Sequence, residues 1–318
     1  MTLGIVTRVR PVPQRRAATS ARRRRGRQFW LFTSPWTIGF VLLGIVPLGY
    51  GLWMSFTDYS AVSPNWHYVG FDNYVRAISD PGVLKALART AVVPFVVVPL
   101  TVGLGLVLAV LANQNIRGQA IFRIIFYLPV VVPPAAAALA FRMLFERDAG
   151  AVNGVLVSLG LSPVDWLSGG NALIVLLCLL VWIVGGNMVL SLAALQDVPT
   201  EVLEAARLDG AGASRRLVSV VIPIISPVLY YQVLMGFVAA VQIAVPALLL
   251  GGLGSGFPEG LDVIMVHILR EFWSFGRIGY ASALMWLLFL LLLVVSFVLV
   301  RVSRRFVHYT VDPEDQTS

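Results

Sequence analysis

ALIVLLCLLVWIVGGNMVLSLAAL, residues 172–195, contains no charged side chain. A bilayer core about 30 Å thick is crossed by a helix of roughly 20 apolar residues, so this stretch is long enough to span it. A backbone in lipid must satisfy its own hydrogen bonds, and the stretch lacks the strict alternation of a barrel strand, so it is expected to be a helix. Five further runs share this character, at 32–56, 88–112, 124–145, 227–250 and 280–302. The 318-residue chain is 58% hydrophobic and 13% charged, with a mean hydropathy of +0.83. The expected fold is therefore all-α, a polytopic membrane protein with six transmembrane helices. Residues 1–28 read as a basic tail, 29–306 as the transmembrane domain and 307–318 as a short C-terminal tail.

Arginine placement orients such a chain. Arg8, Arg10, Arg15, Arg16, Arg22 to Arg25 and Arg27 precede the first span, whereas the next connection balances Arg76 and Lys85 against Asp58, Asp72 and Asp80. The N-terminus is thus expected in the cytosol. With six spans the connections near Arg117 and Arg207, and the tail after Arg301, join it there. The run RRRRGR, residues 22–27, reads as a topology anchor against anionic lipid and not as a nucleic-acid arm. The first span is too long for a cleaved leader and contains Pro47, so it is expected to be retained.

Several chemistries are excluded by composition. The single lysine, Lys85, lies in DPGVLKAL, so the chain has no phosphate loop of the GxxxxGK[ST] type. His67, His267 and His308 are far apart and none belongs to an HExxH helix; Cys178 has no CxxC companion and reads as a packing residue. No GxSxG elbow appears, so no hydrolase nucleophile is expected. The chain reads as a non-enzyme with no cofactor or metal of its own.

The apolar pattern is interrupted by TEVLEAARLDGAGASRR, residues 200–216, expected between the fourth and fifth spans. Pro199 suits the first turn of a helix, Glu201 and Glu204 favour its positive end, and Gly210 can take the left-handed conformation that ends helices. Val202, Ala205, Ala206 and Asp209 fall on one face, and Glu201, Glu204 and Leu208 on another. A helix of about ten residues is too short to persist alone, so it needs something to dock against. Ser214 is placed to cap a second helix, and Pro223 and Pro227 favour a bend at the base of the fifth span. Periodicity alone leaves an ordinary amphipathic connector equally open.

The segment resembles the EAA loop of permease subunits from binding-protein-dependent ABC importers, through Glu204-Ala205-Ala206, Asp209-Gly210-Ala211 and Pro223. SFTDYS (55–60), VGFDNYVRAISDP (69–81), RGQAIFRIIFYLPVVVPP (117–134), LAALQDVPTEVLEAA (192–206) and GYASA (279–283) are similar, in order, to the sugar-type branch related to the maltose importer's membrane subunits. Ser214 and Leu217 stand where that branch often has an aromatic pair, and GGLGSGFPEGL (251–261) replaces its compact Gly-Gly-Pro turn. The resemblance implies that 199–217 forms a cytosolic coupling helix held in a groove of a separate ATPase, through Glu204, Ala205, Ala206, Asp209, Gly210 and Ala211. It further implies a second permease subunit, two ATP-binding subunits that hold ATP and Mg, an extracytoplasmic solute-binding protein, and a plasma-membrane location with both termini cytosolic.

Polar residues inside a membrane mark candidate paths. Asn187 and Ser191 on the fourth span, Gln232 and Gln242 on the fifth, and Trp182 as a stacking surface form a candidate route for a polyhydroxylated solute such as a carbohydrate. Bonding between helices is the competing role for the polar side chains. An ion-coupled secondary transporter is the alternative function; it would be expected to carry intramembrane acids or inverted repeats, and neither is evident.

Overall fold

The computed structural model describes residues 29–63, 65–114, 117–252 and 257–303. The predicted tails at 1–28 and 307–318, and residues 253–256 of the outer segment, lie outside the described residues. Among the described residues the secondary structure is helical, apart from an isolated bridge between Thr57 and Tyr68. We number the helices α1 (Phe29–Ser55), α2 (Asp72–Ser79), α3 (Pro81–Ala112), α4 (Gln119–Val131), α5 (Pro134–Leu144), α6 (Ala151–Ser158), α7 (Asn171–Gln196), α8 (Thr200–Leu208), α9 (Ala213–Val241), α10 (Val245–Gly251), α11 (Ile264–Trp273) and α12 (Ile278–Ser303). Five of them, α1, α3, α7, α9 and α12, are long and apolar enough to cross a membrane; α4 and α5 make a sixth if the pair is taken as one span.

The chain divides into a unit ending at Met54, which contains nearly all of α1, and a second unit that begins at Ser55. Within α1 the turn Val41–Ile45 is π-helical. Its five residues end two positions before Pro47. A proline ring collides with the carbonyl four residues earlier, and a widened turn relieves that collision without breaking the helix. The same arrangement recurs in α9, where a π turn at Leu217–Val221 ends two positions before Pro223.

In the second unit, α3, α7 and α9 pack together through two apolar clusters. One gathers Val93, Val97 and Val98 of α3 with Val175, Leu176 and Leu179 of α7, together with Ala247, Val263 and Val266 from the connections before α12. The other gathers Ala109 and Ala112 of α3 with Met188, Leu192 and Leu195 of α7 and Val221 and Ile225 of α9. This packing defines two ends. The end of α3, the start of α4, the end of α7, α8 and the start of α9 lie together, and we call this the short-loop face. At this face the side chains of Gln119 and Arg123 both donate to the Ala112 carbonyl, at 2.7 and 3.0 Å. They thereby satisfy an acceptor that the end of α3 leaves open and place positive charge at its negative end. At the other, long-loop face Asn153 is buried and bonds the 147–166 loop into one piece. Its amide donates to the carbonyls of Arg147 and Val164, and its oxygen accepts from the Val164 amide and the Trp166 ring nitrogen.

Three expectations are corrected. The predicted third span, 124–145, is not one rod: α4 and α5 meet at 96°. Val132 and Pro133 each precede a proline, which pushes a residue out of the helical region, and both have extended ψ values of 127° and 134°. The predicted fifth span, 227–250, begins earlier and ends sooner, as α9, and Val245–Gly251 forms a separate helix. Pro223 and Pro227 both fall within the continuous α9. Pro223 follows the π turn, and Pro227, which has no N–H for the Pro223 carbonyl, is compensated by the Ser226 hydroxyl, which donates to that carbonyl at 2.8 Å. Finally, Ser214 makes no capping bond; Gly212 holds the N-cap of the helical stretch that continues directly into α9.

Candidate functional site

The loop between α7 and α9 folds as its residues dictate. Pro199 occupies the N-cap of α8, with ψ near 131°, and Glu201 falls in the first turn. At the other end the Gly210 amide donates to the Arg207 carbonyl and the Ala211 amide to the Ala206 carbonyl, both at 3.0 Å. Gly210 has φ of +77°. Crossed bonds of this kind, closing over a left-handed glycine, are a Schellman stop, in which the residues joined by the longer bond also touch. Ala206 and Ala211 are those residues, and both are half-buried. The spacing of Glu-Ala-Ala to Asp-Gly-Ala thus has a local physical cause: the second alanine supplies the accepting carbonyl and the third supplies the amide that donates to it.

The predicted division of faces is corrected by the packing. Leu203 and Ala206 turn inward, Leu203 against the cluster of Leu195, Val198, Leu217 and Val221. Val202, Glu204, Ala205 and Asp209 are exposed, and so is Leu208, at 89% of its surface. Leu203 lies outside the Glu-Ala-Ala motif, although it precedes Ala206 by three positions and so shares its face. Beneath α8 lies a cavity of about 220 Å³ lined by Val110, Asn113, Leu203, Arg207, Arg216 and Leu217 among others. Leu217 is half-buried there while Ser214 is exposed, so these two positions face different surroundings.

The candidate path residues separate into groups. Gln232 of α9 and Ser191 of α7 are both buried and bonded to each other. The Gln232 amide donates to the Ser191 hydroxyl at 3.0 Å and to the Asn187 carbonyl at 3.3 Å. Asn187 is half-buried, and its side-chain amide bonds to no described residue. Its Cβ sits where α7 crosses α3 at Gly105, at which an added methyl would lie 2.8 Å from it. Trp182 ends the first stretch of α7, just before the turn at Ile183 and Val184; it is 40% exposed, with its ring 5.5 Å from that of Phe141. Gln242 is not within a span at all: it is the exposed C-cap of α9. Among the described residues no group of three His, Cys, Asp or Glu side chains is placed to hold a metal.

A polar cluster that sequence reading missed lies at the long-loop face. Asp80 caps the start of α3, accepting from the Gly82 amide at 2.8 Å, and accepts from the Tyr280 hydroxyl of α12 at 3.1 Å. His267 of α11 bonds Asp262 through Nδ1 at 3.1 Å. These residues lie up to two hundred positions apart, and no local spacing announces them.

Comparison with known proteins bears on these features. Residues 101–308 match the model of the family described as binding-protein-dependent transport system inner membrane component. The chain is 31% identical to the probable ABC transporter permease protein YesP of Bacillus subtilis (strain 168), over 88% of this chain and 91% of that protein. It is 30% identical to the sulfoquinovosyl glycerol transport system permease protein SmoG of Agrobacterium fabrum, over 86% and 89%. A chain of a bacterial alginate ABC transporter, solved in complex with an alginate pentasaccharide-bound periplasmic protein, shares the fold. It superposes with a TM-score of 0.77 over 91% of this chain and 98% of that one, at 21% identity. Nothing in these matches supports the ion-coupled alternative. The chain belongs to the binding-protein-dependent transport system inner membrane component family and is an ABC transporter permease.

Proposed function

We propose that this chain forms half of the translocation path for a carbohydrate or related polyol in an ATP-driven importer, and that α8 couples it to a separate ATPase subunit. The observation that carries the reading is α8 itself. It is a short helix with a rigid stop, anchored by Leu203 and presenting Val202, Glu204, Ala205 and Leu208 outward. An exposed leucine on a helix too short to persist alone calls for a partner surface. Glu204, Ala205, Ala206, Asp209, Gly210 and Ala211 serve this coupling in two ways: Glu204 and Ala205 by contact, and the remainder by ending the helix at a fixed length.

The full assembly then contains a second permease subunit, two ATP-binding subunits holding ATP and Mg, and an extracytoplasmic solute-binding protein at the long-loop face. The arginine bias supports a short-loop face and both termini on the cytosolic side of the inner membrane. The sugar reading draws support from the relatives, named for a sulfoquinovosyl glycerol and an alginate system. Its test is the purified complex, with ATP hydrolysis measured against a panel of solutes loaded on the cognate binding protein. Stimulation by a glycoside or polyol is expected; stimulation by amino acids or peptides alone would refute the reading.

Among the path candidates the geometry separates two roles. Gln232→Ala removes the partner of a buried hydroxyl and should lower stability by about 1–3 kcal/mol, read as a lower melting temperature of the complex. Asn187→Ala should leave melting nearly unchanged and alter solute-stimulated ATP turnover, because its amide has capacity to spare. Equal melting losses in both variants would assign Asn187 a packing role.

A further inference from the structure

His267 is an enclosed charge centre with no part in the features used above. It lies on α11, with its side chain 14% exposed. Three carboxylates face it. Asp262, from the segment before α11, bonds its Nδ1 at 3.1 Å and also accepts from Arg270 at 3.4 Å. Glu271, one turn further along α11 and buried, is paired with Arg277 at 3.2 Å. Asp80 faces it from the cap of α3: a methyl placed on Gly82 would sit 3.1 Å from the Asp80 Oδ1 and 3.3 Å from the His267 Cε1. From α12 the Tyr280 hydroxyl donates to Asp80, and from α2 the Arg76 guanidinium lies over the Tyr280 ring at 4.5 Å. The Nε2 atom of His267 is buried and bonds to no described residue.

This arrangement makes the imidazole a junction between elements. Arg270 and Arg277 are paired with Asp262 and Glu271, and Arg76 lies over the Tyr280 ring, while the charge of protonated His267 acts on Asp80. The same helix is tied to α3 by its first turn, where the Ile264 amide donates to the Thr90 hydroxyl at 2.7 Å. We propose that His267 is a proton-sensing clamp: protonated, it holds α11 against the first turns of α3 and α12, and loss of its proton frees α11 to move.

The direction of the pH response follows from the surroundings. The Asp262 hydrogen bond raises the His267 pKa above its ordinary 6.5; burial opposes this, and the charges of Asp262, Glu271 and Asp80 add to it. A raised value means that the clamp contributes fully below pH 6.5 and fades as pH rises through the raised value. Burial pushes Asp80 upward, but the Gly82 amide, the Tyr280 hydroxyl and the charge of His267 outweigh it and hold Asp80 below 3.8. Its contribution is present above pH 3.8 and fades as pH falls through the depressed value. The clamp is therefore tightest between these limits and loosens on the alkaline side.

The test is hydrogen–deuterium exchange of the assembled complex in lipid nanodiscs from pH 5.5 to 9, corrected for the intrinsic pH dependence of exchange. In the wild type, protection of 264–273 should fall above pH 6.5 relative to 83–112. The opening equilibrium should rise by up to about tenfold per pH unit until the raised titration is complete. His267→Gln should give a flat profile with reduced protection at pH 6. Should that variant fail to assemble, Asp262→Asn should end the loss at lower pH and shrink its total size, because the raised value falls back toward 6.5. A wild-type profile without pH dependence, or an unshifted profile in the variant that assembles, overturns the proposal.

Discussion

Leu208→Gln should leave the permease folded and assembled in the membrane while lowering ATP-driven solute uptake by about tenfold or more. The side chain is 89% exposed, so its loss removes almost nothing from the chain's own packing, and exposed substitutions of this kind stay within about 0.5 kcal/mol. Covering that leucine with a partner surface is worth about 1.5–3 kcal/mol, an order of magnitude or more in affinity. Glu204→Lys, also exposed on α8, reverses a charge without touching the Schellman stop and should act in the same direction. The measurement pairs uptake in vesicles with the yield of ATPase subunit recovered on the purified permease. Uptake and recovery both at wild-type level would remove α8 from the coupling path.

Gly185→Leu should prevent the chain from assembling at all. A Cβ at Gly185 would lie 2.1 Å from the Phe126 carbonyl oxygen and 2.9 Å from the Tyr127 Cα, both backbone atoms of α4 that cannot rotate away. Helices α4 and α7 would have to separate, stripping Phe122 and Phe126 from the Met188 and Leu192 cluster. Overpacking against side chains costs 1–3 kcal/mol, and against backbone the loss should exceed about 3 kcal/mol. Gly186 provides the internal control, because a Cβ there meets nothing within 4 Å. Gly186→Leu should therefore reach the membrane at near wild-type yield while Gly185→Leu does not, as measured by size-exclusion chromatography of the solubilised complex. Equal yields would mean that α4 and α7 do not meet at this glycine.

The spans were legible because each is a continuous apolar run, and a run of that length carries its meaning in its length. What length cannot convey is direction. Residues on both sides of Pro133-Pro134 are equally apolar, so the 96° turn left no trace in hydropathy, although the paired prolines mark its place. Composition likewise could not separate Gln232 from Gln242: both glutamines follow apolar stretches, but one is enclosed by Ser191 and the other caps a helix end. The α8 stop was readable since glycine, alanine and their spacing act within a few residues. The Asp80, His267 and Tyr280 cluster was not, because it is assembled by tertiary packing across three elements. Asn153 belongs to the same class; one asparagine satisfies four groups of a loop, and nothing in its neighbours announces it.

The two π turns, VLLGI before Pro47 and LVSVV before Pro223, re-aim the faces of their helices. A π turn holds one residue more than an α-helical turn needs. The extra residue rotates the side chains on one side of it by about a quarter turn or slightly more relative to the other. In α9 that rotation falls between the loop that bears α8 and the stretch that bears Gln232, so it sets the angle at which Gln232 meets Ser191 relative to the short-loop face.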